Sequence, residues 1–146
     1  MEKEYRESNR WQDTFEIGKQ LAALAQPGDV FCLYGDLGTG KTVFSQGFGA
    51  GLGVEEPISS PTFTILKEYH EGRLPFYHFD VYRIGSEDEM DEIGYYECVD
   101  GDGVCLIEWA EKIVDILPAQ YKKITIEKNV QKGFDYRQIT IETVRR

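Results

Sequence analysis

The chain has 146 residues, 41% hydrophobic and 29% charged, and a formal net charge of −10. This specifies one domain, residues 1–146, with a core of its own, and no apolar run approaches membrane-spanning length. The start, Met1-Glu2-Lys3-Glu4-Tyr5-Arg6-Glu7, is too polar for a signal peptide, and Cys32, Cys98 and Cys105 show no C-x-x-C spacing, so a reduced, cytoplasmic protein is expected.

In chain order, Asp13 with Glu16 reads as a capping box opening a helix whose Ile17, Leu21, Leu24 and Ala25 share a face. Pro27-Gly28-Asp29 then turns into a strand, Val30-Phe31-Cys32-Leu33-Tyr34. A helix from Lys41 to Leu52 follows, with Phe44, Phe48 and Leu52 on one side. Its glycines, Gly47, Gly49 and Gly51, followed by Gly53, weaken a helix interior and suggest either close packing or movement. Thr62 to Tyr69 and Leu74 to Val81 read as strands joined at Glu71-Gly72-Arg73. Ser86 and Glu89 suit the cap of a short acidic helix. Gly103 to Trp109 is a further strand, and Ala110 to Leu117 a helix stopped by Pro118. Lys123 to Asn129 and Tyr136 to Val144 form a hairpin spanning about 123–144. With Gly35-Asp36-Leu37-Gly38-Thr39-Gly40-Lys41-Thr42 fitting G-x-x-x-x-G-K-[ST] between strand and helix, the predicted fold is α/β: a single P-loop NTPase-like domain with a mixed, mostly parallel central sheet and few flanking helices.

Between the first strand and the second helix lies Gly35-Asp36-Leu37-Gly38-Thr39-Gly40-Lys41-Thr42, which fits G-x-x-x-x-G-K-[ST]. Glycines at this spacing let successive backbone N–H groups curl around a phosphate, and the helix N-terminus adds its dipole. Lys41 would then reach the β- and γ-phosphates and the Thr42 hydroxyl would ligate Mg²⁺. Such a site needs a carboxylate at a neighbouring strand end. Two sequences supply one: Val104-Cys105-Leu106-Ile107 ends in Glu108, and Phe76-Tyr77-His78-Phe79 ends in Asp80. Ser59-Ser60-Pro61-Thr62-Phe63 reads either as a γ-phosphate sensor or as a turn. Arg83 reads as a charge-stabilising finger or as a partner of the nearby acids, His78 and Trp109 as packing residues.

The charge is uneven. From Tyr121 onward there are 7 basic and 3 acidic residues, against 9 basic and 23 acidic before it, and eight carboxylates crowd between Ser86 and Gly103. A surface so acidic repels a phosphate backbone, so strong nucleic-acid binding by this chain alone is not expected. The acidic run reads equally as a solvated face or a docking surface. A small-molecule kinase would close an Arg-rich lid over its phosphates, and 85–103 contains no Arg or Lys. A GTPase switch would carry N-K-x-D, and the only Asn after the loop, Asn129, precedes Val130.

Taken together, 35–42, Ser60-Pro61-Thr62-Phe63-Thr64, His78-Phe79-Asp80-Val81-Tyr82-Arg83 and Ile107-Glu108-Trp109 strongly resemble the bacterial TsaE (YjeE) family, ATPases of tRNA threonylcarbamoyladenosine synthesis. The resemblance spans roughly Thr14 to Pro118. It implies an ATP- and Mg²⁺-binding subunit that docks on a TsaB–TsaD heterodimer. TsaD modifies the adenosine beside the anticodon of tRNAs reading codons that begin with A, and ATP hydrolysis resets the complex between turnovers. By matching position, Leu37, Gly38, Thr39, Gly40, Lys41 and Thr42 would hold phosphates, while Thr42, Glu108 and Asp80 would serve Mg²⁺. Lys41, Asp80 and Glu108 would be the catalytic set, and Trp11 to Thr14 would approach adenine.

Overall fold

The computed structural model describes residues 3–36 and 38–146; Leu37, expected among the phosphate-holding residues, lies outside them, as do Met1 and Glu2. The elements run β1 (Lys3–Ser8), α1 (Trp11–Ala23), β2 (Val30–Tyr34), α2 (Lys41–Gly51), β3 (Leu66–Tyr69), β4 (Phe76–Asp80), α3 (Asp88–Glu92), α4 (Tyr95–Val99), β5 (Val104–Glu108), a 3₁₀ segment (Ala110–Ile116), β6 (Gln120–Lys128) and β7 (Arg137–Arg145). The strands form a seven-stranded sheet in the order β1-β7-β6-β2-β5-β4-β3. Its central pairings, β6–β2, β2–β5 and β5–β4, are parallel, while β1–β7, β7–β6 and β4–β3 are antiparallel. The sheet is therefore mixed, as expected, with its parallel half in the middle.

Strands β2 and β5 are apolar on both faces along Val30–Leu33 and Val104–Ile107 because helices cover both. Phe31, Leu33, Leu106 and Ile124 meet Ile17, Phe44 and Phe48 of α1 and α2 on one side. Val30, Cys32, Cys105 and Ile107 meet Met90, Tyr95 and Ile113 on the other. Cys32, Cys98 and Cys105 are free and buried. Among the described residues no helix is long and apolar enough to cross a membrane.

Phe44, Phe48 and Leu52 are buried on one face, as the spacing predicts. The glycines of α2 resolve into a packing role. A Cβ at Gly47 would collide with the Phe15 carbonyl, and one at Gly51 with that of Lys19, so these two glycines let the backbones of α1 and α2 touch. Gly49 makes room for Ile58 instead.

Several local expectations give way. Helix α1 starts before the expected capping box, with Arg10 at its N-cap; Asp13 sits in the first turn, where its carboxylate accepts the Asn9 N–H at 3.0 Å. Leu24, expected on the buried face, follows the last helical turn and is 78% exposed. Ser86 does not cap α3 with its side chain; its carbonyl accepts the Glu89 N–H. The strand expected from Thr62 begins only at Leu66, because a turn closed by Ile65 N–H to Pro61 carbonyl holds Ile65 at φ 68°. The segment after β5 winds as 3₁₀ with a break at Ile113, since Trp109 enters it at φ 63° and Leu117 leaves it extended before Pro118. Strand β1 carries no apolar alternation and was not expected; backbone pairing with β7 holds it at the sheet edge.

This topology determines where the chemistry sits. Parallel β2, β4 and β5 all end at one edge, and the antiparallel β3 and β7 begin there. Ligand sites of open α/β sheets lie at that edge.

Candidate active site

The glycine loop leaves β2 and enters α2 through Gly40, whose φ of 106° is a left-handed conformation that a side chain would strain. At Gly35 a Cβ would lie 2.9 Å from the Ile126 carbonyl of the neighbouring strand. Among the described residues no side chain caps the N-terminus of α2, so the N–H groups of its first turn remain available to an anion. Lys41 begins the helix and is 9% exposed, its Nζ 4.5 Å from the centre of the Trp109 ring. Among the described residues no carboxylate pairs with Lys41 within 4.0 Å. A buried ammonium beside an uncapped helix terminus is the complement of a phosphate chain.

A cavity of about 560 Å³ opens over this loop, bordered by Lys41, Thr42, Thr62, Asp80, Glu108 and Trp109. Asp80 and Glu108 are buried register partners, the last residues of β4 and β5. Asp80 Oδ1 accepts the Tyr82 N–H at 3.0 Å, and Oδ2 accepts the Thr62 hydroxyl at 3.2 Å and that of Ser60 at 3.5 Å. His78 donates from Nε2 to Glu108 Oε2 at 2.9 Å. Its Nδ1 is buried and finds no partner among the described residues, where the imidazole bonds through its other nitrogen to Glu108. Two carboxylates and the Thr42 hydroxyl on one cavity suit Mg²⁺, which keeps several waters and takes few protein ligands in phosphate sites.

Of the expected residues, Gly38, Gly40, Lys41, Thr42, Asp80 and Glu108 border this one cavity; Leu37 lies outside the described residues, and Thr39 lines a smaller cleft instead. Thr14 lies on the far side of the loop, lining a cleft of about 80 Å³ with Trp11, Gly40 and Arg137, and its hydroxyl meets that of Ser8 at 2.7 Å. Arg83 pairs with no acid within 4.0 Å among the described residues. It lies over the exposed Phe63 ring at 4.5 Å and does not border the cavity.

Two participants are invisible to local pattern. The spacing of His78 marks a strand position and says nothing of its bond to Glu108. Arg137, whose guanidinium reaches the loop carbonyls of Gly38 and Thr39, carries no motif at all.

Strand, glycine loop and helix, opening at the C-terminal edge of a parallel sheet centre, define a P-loop protein. Comparison with known proteins narrows the class. Residues 8–139 match the family described as threonylcarbamoyl adenosine biosynthesis protein TsaE. The tRNA threonylcarbamoyladenosine biosynthesis protein TsaE of Bacillus subtilis (strain 168) is 50% identical over 133 residues, 91% of this chain and 81% of the relative. The protein of the same name from Treponema pallidum (strain Nichols) is 50% identical over 107 residues, 73% of this chain and 78% of its own. The crystal structure of Bacillus subtilis YdiB superposes with a TM-score of 0.81 at 42% identity, covering 99% of this chain and 87% of that one. The chain belongs to the TsaE family of tRNA threonylcarbamoyladenosine biosynthesis.

Proposed function

We propose that this chain is a cytoplasmic, Mg²⁺-dependent ATP-binding and hydrolysing subunit. It acts with TsaB and TsaD in threonylcarbamoylation of the adenosine next to the anticodon in tRNAs reading codons that begin with A. The observation that carries the ATPase reading is the meeting of buried Lys41 with the Asp80–Glu108 pair across one cavity.

In this reading Gly38 to Thr42 hold the phosphates through backbone N–H groups, and Lys41 neutralises their charge. Thr42, Glu108 and Asp80 hold the metal or its waters, and Leu37 and Thr14 complete the nucleotide contacts. Mg²⁺ supplies charge neutralisation between the phosphates when bound. Asp80 and Glu108 also orient the attacking water, Asp80 with its carboxylate fixed by Thr62 and the Tyr82 amide. His78 holds Glu108 in place from within the sheet. The acidic 86–103 segment and the overall charge of −10 are consistent with leaving the RNA to the partners.

The deciding experiment is tRNA modification by a TsaB–TsaD pair over many turnovers, with and without this chain. Added chain should raise the yield beyond one round, and Lys41→Ala should not. No gain from the unaltered chain would sink the proposal.

A further inference from the structure

Arg137 opens β7 at the edge where the glycine loop lies. Its Nε donates to the Thr39 carbonyl at 2.9 Å and its Nη2 to the Gly38 carbonyl at 3.2 Å. Nη1 donates to the carbonyls of Phe134 and Tyr136, at 3.1 and 2.8 Å. One planar fork therefore joins the glycine loop to the turn between β6 and β7, across 98 residues of sequence. Among the described residues no carboxylate pairs with Arg137 within 4.0 Å. All of its bonds to the loop go to neutral carbonyls, so what it supplies there is orientation.

Peptide planarity turns that orientation into chemistry. A trans peptide points its C=O and the following N–H in opposite directions. Tying the Thr39 carbonyl to Arg137 turns the Gly40 N–H away from Arg137, and Gly40 borders the cavity. Gly40 is free to adopt many conformations, so an outside restraint decides which one persists. The turn has an anchor of its own: Tyr136 donates its hydroxyl to Glu7 at 2.7 Å, and Lys132 pairs with Glu7 at 3.5 Å. Losing Arg137 would release the glycine loop and leave the hairpin paired.

We infer that Arg137 is a positioning residue. It holds the glycine loop in its phosphate-receiving shape and couples that shape to the β6–β7 turn. The inference rests on the reading of the cavity as a nucleotide site. Because coupling is reciprocal, phosphate binding at the loop must stiffen the turn through Arg137.

The test uses the full chain with ADP and Mg²⁺, followed by calorimetric titration and by amide hydrogen exchange. For the unaltered chain, ADP should slow exchange both at 38–44 and at 129–136. Arg137→Ala should weaken ADP about tenfold and abolish the slowing at 129–136, with the thermal midpoint within about 5 °C. Arg137→Lys, which keeps the charge and loses the fork, should fold and recover only part of the affinity; it also replaces the alanine variant should that one fail to fold. Arg137→Ala binding ADP within about twofold of the unaltered chain, or ADP leaving exchange at 129–136 unchanged in the unaltered chain, overturns the inference. Lys41→Ala serves as the control: if it also binds ADP normally, the nucleotide-site reading itself has failed, and if it alone loses binding, only the role of Arg137 has.

Discussion

Asp80 and Glu108 stand directly opposite one another in the register of two adjacent parallel strands, each the last residue of its strand. Matched positions share a face of the sheet, so both carboxylates turn toward the side that α2 covers. We expect Glu108→Gln and Asp80→Asn each to lower ATP turnover at least about a hundredfold, with ATP affinity changed less than about threefold. Because the two acids border one cavity, the double variant should be little worse than the poorer single. Steady-state turnover beside equilibrium titration checks this, and purely additive losses would separate the two roles.

His78 lies two residues before Asp80 on that same face, which makes it the diagonal neighbour of Glu108. His78→Phe keeps a ring to stack on Phe76, 5.8 Å away, but removes the donor to Glu108. Stability should fall by about 1–3 kcal/mol and turnover by more than tenfold, while the effect on turnover should vanish in a Glu108→Gln background. A double-variant cycle measures the coupling, and equal losses in both backgrounds would contradict it.

Trp109 reports on Lys41. With the ammonium 4.5 Å from the indole centre, withdrawal of Lys41 toward a phosphate must change the ring's electrostatic surroundings. Tryptophan emission should therefore shift on addition of ATP, and Trp109→Phe should remove most of the change despite the presence of Trp11. A signal that persists in Trp109→Phe would assign it to Trp11 and the smaller cleft.

Gly47→Ala tests the contact between α1 and α2. In a solvent-facing helix the change would stabilise by up to about 1 kcal/mol. Here the new methyl would meet the Phe15 carbonyl, so the helices must separate and stability should drop by about 1–3 kcal/mol. Urea unfolding decides the sign, and a variant at least as stable as the unaltered chain would refute the packing role.

The buried thiols make the fold sensitive to alkali. Burial pushes Cys32 up to about 12 and Cys98 up to about 11, and raises Cys105 strongly, all from an ordinary 9.0. A thiol raised in the folded state ionises first in the unfolded one. Its stabilising effect is complete below pH 9 and is lost as pH rises toward the folded value. Cys32 alone should contribute a decline of about 1.4 kcal/mol per pH unit above that point. Denaturant midpoints from pH 8 to 11 should fall accordingly, more shallowly in Cys32→Ser after allowance for its lower starting stability. At pH 8 a thiol reagent should label the folded chain far more slowly than the unfolded one.

Sequence by itself determined what is local or repeats with the period of an element. The glycine loop, the apolar run ending in Glu108, the Phe44-Phe48-Leu52 face and the C-terminal hairpin were all legible, because each depends on residues a few positions apart. The charged edge strand β1 was not, since backbone pairing without an apolar face leaves no pattern in side chains. Nor were the turn at Ile65 and the 3₁₀ path after Trp109, where neighbours in space override local preference. At the site the division is the same. Composition and spacing nominated Lys41, Asp80 and Glu108 separately. Only strand order put Asp80 beside Glu108 and His78 behind it, and only the return of β7 brought Arg137 to the loop. Motifs record the groups that chemistry requires, whereas a hydrogen bond across 98 residues exists only once the sheet has closed the distance.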